Sequence, residues 1–251
     1  MTLQELRRTG VRPVERVAYL LGAVLFASGL VHLVVLVVSG TTWEGPLSYR
    51  KAMTFGLSFG LTLATLAWVT SFLRMNDRWR NLLLGAFTAV SVVETTLVTM
   101  QAWRGVPSHF NFETGFDTAV SMMLAAGGGV IILTVLGFTV AALRTSSGLA
   151  PSMLLALRFG LFVLLVSLGV GALMIADGVR LARGGQPELA YTTAGGLKPV
   201  HAVAMHAILV VPALAWLLRF TTWTERRKTR VIGAVAAGYA LVVAATWLVF
   251  G

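Results

Sequence analysis

Three ionisable side chains stand inside otherwise apolar runs: His32, Glu94 and His206. Such groups are rare and costly within a lipid-crossing segment, so each is a candidate for function by default. A carboxyl group in an apolar layer keeps its proton more readily than one in water. In that state Glu94 could serve as a general acid, protonating an alkene or epoxide to start a carbocation cyclisation. Phe55, Phe59, Trp68 and Phe110 could shield a cation through their π faces, and equally serve as packing. His32, His206 and Glu94 also form two imidazoles and a carboxylate, a donor set of some zinc and iron sites. Two imidazoles at matched depth could ligate haem from both faces. The metal or haem reading is the alternative; the primary expectation carries no cofactor and no metal.

More polar groups gather in one stretch, MQAWRGVPSHFNFETGFD, which supplies Gln101, Arg104, His109, Asn111, Glu113 and Asp117. Arg104 and His109 are candidates for orienting a substrate, with Asn111 and Asp117 beside them. Asp177 and Arg180 end the fifth apolar run; Lys198 and His201 open the sixth. The catalytic candidates are Glu94, His32, His206 and Asp177; the substrate-binding candidates are Arg104, His109, Asn111 and Asp117. Each has a plainer reading. A lone histidine in a span commonly bonds to a carbonyl or hydroxyl. Glu94 could be structural glue to Arg104 or a histidine. Asp177 and Arg180, three apart, suit a surface ion pair. His201 and His206 are five apart, which does not put them on one helical face.

The elements that must position these groups are membrane spans. The chain is 57% hydrophobic and 12% charged, against about 45–50% and about 25% in soluble domains. The excess lies in long continuous runs, which predict helices rather than a barrel. Seven runs are long enough, at about 17–39, 52–73, 81–102, 118–143, 153–176, 200–220 and 231–250. The expected fold is a single all-α domain, a polytopic membrane bundle of seven transmembrane helices, in the cell membrane. The basic N-terminus resembles a signal peptide, but the first run is too long for one and reads as a retained span.

With the N-terminus inside, fourteen Lys and Arg fall in inner segments and six in outer ones. This bias predicts an N-inside, C-outside arrangement. His32, Glu94 and His206 then lie in one layer, about 9–12 Å below the outer surface at 1.5 Å per helical residue. The expectation is a polar pocket opening outward or into the outer leaflet, with Glu94 at its floor.

Gly56 and Gly60 have the GxxxG spacing of close helix packing. Thr54, Ser58, Thr62 and Thr65 form a hydroxyl stripe, lining a cavity or bonding back to helix carbonyls. Gly127, Gly128 and Gly129 should loosen the fourth helix or admit a close neighbour, and Pro212 should bend the sixth.

In size, span number and buried acids the chain resembles the small integral-membrane terpene cyclases of meroterpenoid and diketopiperazine–terpene pathways. That resemblance implies an acid-initiated cyclisation of a lipophilic molecule. The segments KAMTFGLSFGLTLATLAW, QAWRGVPSHFNFETGFD and LKPVHAVAMHAILVVPALAWLL resemble parts of a bacterial integral-membrane family that carries no transferable activity. The expected partners are membrane lipid and a hydrophobic small molecule. A small-molecule transporter or sensor is a further alternative, with Arg104 and Lys198 capturing an anion.

Several classes are excluded. The chain has no cysteine, so disulfides and thiolate sites are absent. The net charge of +10 flanks apolar spans, as orientation requires, and does not indicate nucleic acid. No GxxxxGK[ST] loop exists, and the last run holds no lysine for a retinal Schiff base.

Overall fold

The computed structural model describes residues 10–43, 45–146, 148–193 and 195–251. Arg7 and Arg8, counted above for orientation, lie outside the described residues. Among the described residues there are eight α-helices and no strand. They are α1 (Pro13–Ser39), α2 (Arg50–Ser71), α3 (Asp77–Arg104), α4 (Gly115–Arg144), α5 (Pro151–Arg183), the short α6 (Pro187–Thr193), α7 (Lys198–Leu218) and α8 (Glu225–Phe250). All except α6 are long and apolar enough to cross a membrane. The expected all-α, seven-span architecture is therefore what the chain forms.

Five of the seven long helices overrun the apolar runs, and α2 and α7 are shifted two residues earlier, because caps and not hydropathy alone set their ends. Pro13 opens α1 and Gly40, at φ 63°, closes it. Asn76, Thr114 and Thr224 cap α3, α4 and α8 by accepting from the backbone N–H groups of Arg78, Asp117 and Arg227. The largest extension is α5, which runs through 33 residues to Arg183. Asp177 and Arg180 thus stand on its final turns.

Short connections make successive spans antiparallel. The ends of α1, α3, α5 and α8 and the starts of α2, α4 and α7 gather at one end of the bundle, the distal end. The closest pair is α1 with α2, where Gly22 and Gly29 meet Gly60 and Gly56. A methyl group at Gly60 would stand 2.6 Å from the Gly22 carbonyl oxygen, and one at Gly56 2.6 Å from the Gly29 nitrogen. Lipid is as apolar as leucine, so close approach and packing replace the hydrophobic drive between such helices. A shared core of Leu66, Phe87, Phe138, Leu161 and Ile208 joins α2, α3, α4, α5 and α7. Helix α8 buries only Ile232 and Ala236 and leaves most of its surface outward.

Two local features concern the glycine run and one inner charge. Helix α4 is unbroken through Gly127, Gly128 and Gly129; the glycines admit a neighbour instead, at Gly127. Arg80, read as an orienting charge, is 1% exposed. It donates to the carbonyls of Leu73 (2.7 Å) and Thr70, with Glu15 3.9 Å away. It closes the open carbonyl end of α2, which attracts a cation.

Candidate functional site

The polar stretch at the distal end is built around Asp117. Thr114, the N-cap of α4, accepts from the Asp117 N–H and donates to Asp117 Oδ2 at 2.6 Å. Gln101 and Arg104, from the last turn of α3, both donate to Asp117 Oδ1, at 2.8 and 2.6 Å. Arg104 also donates to Gln101 Oε1 and lies over the Phe116 ring. Asp117 is 3% exposed. These contacts fasten the α3–α4 connection and leave the carboxylate fully engaged. Asn111 belongs to the same clasp. Its backbone N–H and C=O both meet the Ser121 hydroxyl, and its Oδ1 accepts from the Glu113 N–H. Its buried Nδ2 has no partner.

The connection folds inward. Phe110, at φ 61°, places its ring on Gly178 of α5, where any Cβ would collide with it. His109 lies between the rings of Phe55 and Phe110, with Nδ1 2.9 Å from the Ser108 hydroxyl. Burial first, then the ammonium groups of Lys51 and Lys198, hold its imidazolium down at about 3. His109 is therefore a neutral ring at neutral pH. The cavity beside it, among Phe110, Phe112, Met122 and Ile175, holds about 10 Å³. A single water needs about that much.

His32 is a strut. Its Nδ1 donates to the Ser28 carbonyl at 2.7 Å, so its Nε2 is the acceptor that takes the Trp103 indole N–H at 3.0 Å. Both ring nitrogens are used, which leaves none for a proton transfer or a metal. His201 is likewise bound to Ser167 of α5, through Nδ1 to the Ser167 carbonyl at 2.8 Å. Asp177 pairs with Arg180 at 2.7 Å on the exposed flank of α5.

The three ionisable groups do not converge. Glu94 and Trp103 are nine residues apart on α3, two and a half turns, so they leave on opposite sides. Trp103 reaches His32 on α1, whereas Glu94 Oε1 rests on Gly127 of α4. Helix direction decides this, since matched depth says nothing about matched azimuth. Among the described residues no three His, Asp or Glu side chains converge as metal ligands would. Glu94 lines neither the small cavity at His109 nor the groove at His206.

His206 stands elsewhere again, in the larger cavity. This is a groove of about 130 Å³ between α1, α2 and α7. Phe26, Leu57, Leu61 and Met205 make its apolar walls; Ser58, Thr62 and Thr65 carry hydroxyls along one of them. Thr65 bonds back to Leu61 O at 2.8 Å. His206 Nδ1 donates to Ala202 O at 2.6 Å, which leaves Nε2 of the neutral ring as an acceptor. The hydroxyl stripe and His206 were each visible in the sequence. Their meeting was not, because nothing in the sequence pairs α2 with α7.

No family model, curated protein or solved structure matches this chain.

Proposed function

We propose that this seven-span membrane protein takes one end of a lipophilic small molecule from the bilayer into the groove between α1, α2 and α7. The observation that carries the reading is the composition of that groove: apolar walls, one imidazole acceptor and a row of hydroxyls. A hydrogen-bonding head, such as an alcohol or acid, meets His206 Nε2, Ser58 and Thr62, and the hydrocarbon remainder lies in lipid. Size sets the limit. Pockets that enclose a small molecule run to about 300–1,000 Å³, and a cavity of about 150 Å³ admits benzene. The groove therefore suits a ring or chain end, held for transfer, sensing or reaction at that end. His206 is the group able to accept a proton there. Acid-initiated cyclisation at Glu94 lacks comparable support, since that carboxyl lines neither of the cavities described above.

The N-inside arrangement belongs to the same reading and rests on the Lys and Arg bias. It turns the distal end, and with it His206, to the outer half of the membrane.

Native mass spectrometry of detergent-purified protein tests the binding. The wild type should retain a lipophilic adduct that His206→Phe and Ser58→Leu lose. Equal retention by all three proteins would remove the groove as the site.

A further inference from the structure

Glu94 has a setting of its own. It is 4% exposed, and its Oε1 is buried without a hydrogen-bond partner. A methyl group at Gly127 would overlap that oxygen, so the carboxyl lies directly on the bare backbone of α4. Among the described residues no cation pairs with it. Arg104, ten residues along the same helix and about 15 Å away, is committed to Asp117. Helix α4 brings Asp117 and Arg144, ten and seventeen residues from Gly127. Helix α2 brings only Arg50 and Lys51, at its distal start. Helix α1 brings Glu15, Arg16 and Tyr19 near its start, and His32, bound to Trp103 on the far side of α3. An ionised carboxylate here would be a buried charge without a counter-ion, which an apolar interface does not tolerate.

Two neighbours share its condition. Span hydroxyls in this protein usually bond back to their own helix, as Thr65, Thr70, Thr88, Ser91, Thr134 and Thr139 do. Thr95 and Thr99 do not: both Oγ1 atoms are buried without partners. They follow Glu94 along α3 towards Gln101, whose amide reaches Asp117 at the distal end. The steps along the axis are about 1.5, 6 and 3 Å; Thr95 and Thr99, four apart, share one face of α3, about 100–140° round from Glu94. Buried water bonds to polar groups that lack protein partners, where there is room for it.

We propose that Glu94 is a proton-binding site within the membrane, exchanging its proton with the distal end through water held along Thr95 and Thr99. The neutral acid lets α3 lie against α4. On release the proton passes to that water and the carboxylate remains, an uncompensated charge that loosens the α3–α4 contact. The site is separate from the groove at His206 and does not depend on a ligand there.

Infrared spectroscopy of the protein in phosphatidylcholine vesicles tests this. At neutral pH the wild type should show a protonated-carboxyl C=O band that shifts in D₂O and is lost in Glu94→Gln. If that difference shows only carboxylate stretches, the proposal fails. Should Glu94→Gln not accumulate, Glu94→Asp serves, since it must displace the band; an unmoved band equally overturns the assignment. For the route, Thr99→Val should slow the deuterium shift and Thr88→Val, whose hydroxyl is already bonded, should not. Equal rates in the two variants would remove the route.

Discussion

The Trp103 indole N–H donates to His32 Nε2 across 3.0 Å and ties the end of α3 to α1. The rings meet edge to face at 6.2 Å, and Tyr49 also packs edge to face with the indole, at 5.3 Å. A histidine with the credentials of a catalytic group is here a fully bonded strut.

Its removal should therefore be a stability defect. Hydrogen bonds between spans average about 0.6 kcal/mol and reach about 1.7. His32→Leu and Trp103→Phe should each lower the unfolding midpoint in detergent, and the double variant should lose less than the sum. Strict additivity would mean that the bond holds nothing.

Asp117 should be the costliest single loss at the distal end. Asp117→Ala removes the acceptor for Thr114, Gln101 and Arg104 together. Stranding such donors costs about 1–3 kcal/mol. Limited proteolysis should then cut within residues 105–114, where the wild type resists, and Asp117→Asn should be milder.

The glycine run separates two roles. Gly128 has open space where a Cβ would go, whereas Gly127 lies under Glu94. Gly128→Ala should be neutral or stabilising by up to about 1 kcal/mol, the helix preference of alanine over glycine. Gly127→Ala should destabilise, as followed by thermal unfolding. The same response from both would mean that Glu94 does not rest where described.

His109 sets a pH dependence. Its imidazolium is held down at about 3, because burial and then Lys51 and Lys198 disfavour the cation. The unfolded chain takes up that proton near pH 6.5. This contribution is therefore complete above about pH 6.5 and is lost as pH falls from there towards 3. The difference in unfolding free energy between wild type and His109→Phe should shrink across that window, by at most about 1.4 kcal/mol per pH unit. A constant difference would refute the assignment.

Topology can be read directly, because the chain contains no cysteine and needs no background substitutions. Single cysteines at 105, 112 and 185 should label with an impermeant thiol reagent from outside, and one at 222 only from inside. The reverse pattern would invert the bundle.

The sequence by itself determined the seven spans, their number and approximate limits, because a lipid core demands continuous apolar runs and satisfied backbones whatever the packing. It also marked Gly56 and Gly60 for close approach, since only small residues admit a neighbouring backbone there. Tertiary structure alone decided which polar side chains meet. Residue counting puts His32, Glu94 and His206 at one expected depth, but each leaves its helix at a different angle and meets a different neighbour. Depth follows from counting residues at 1.5 Å each. Azimuth depends on which helices pack together, and that is written in no single span.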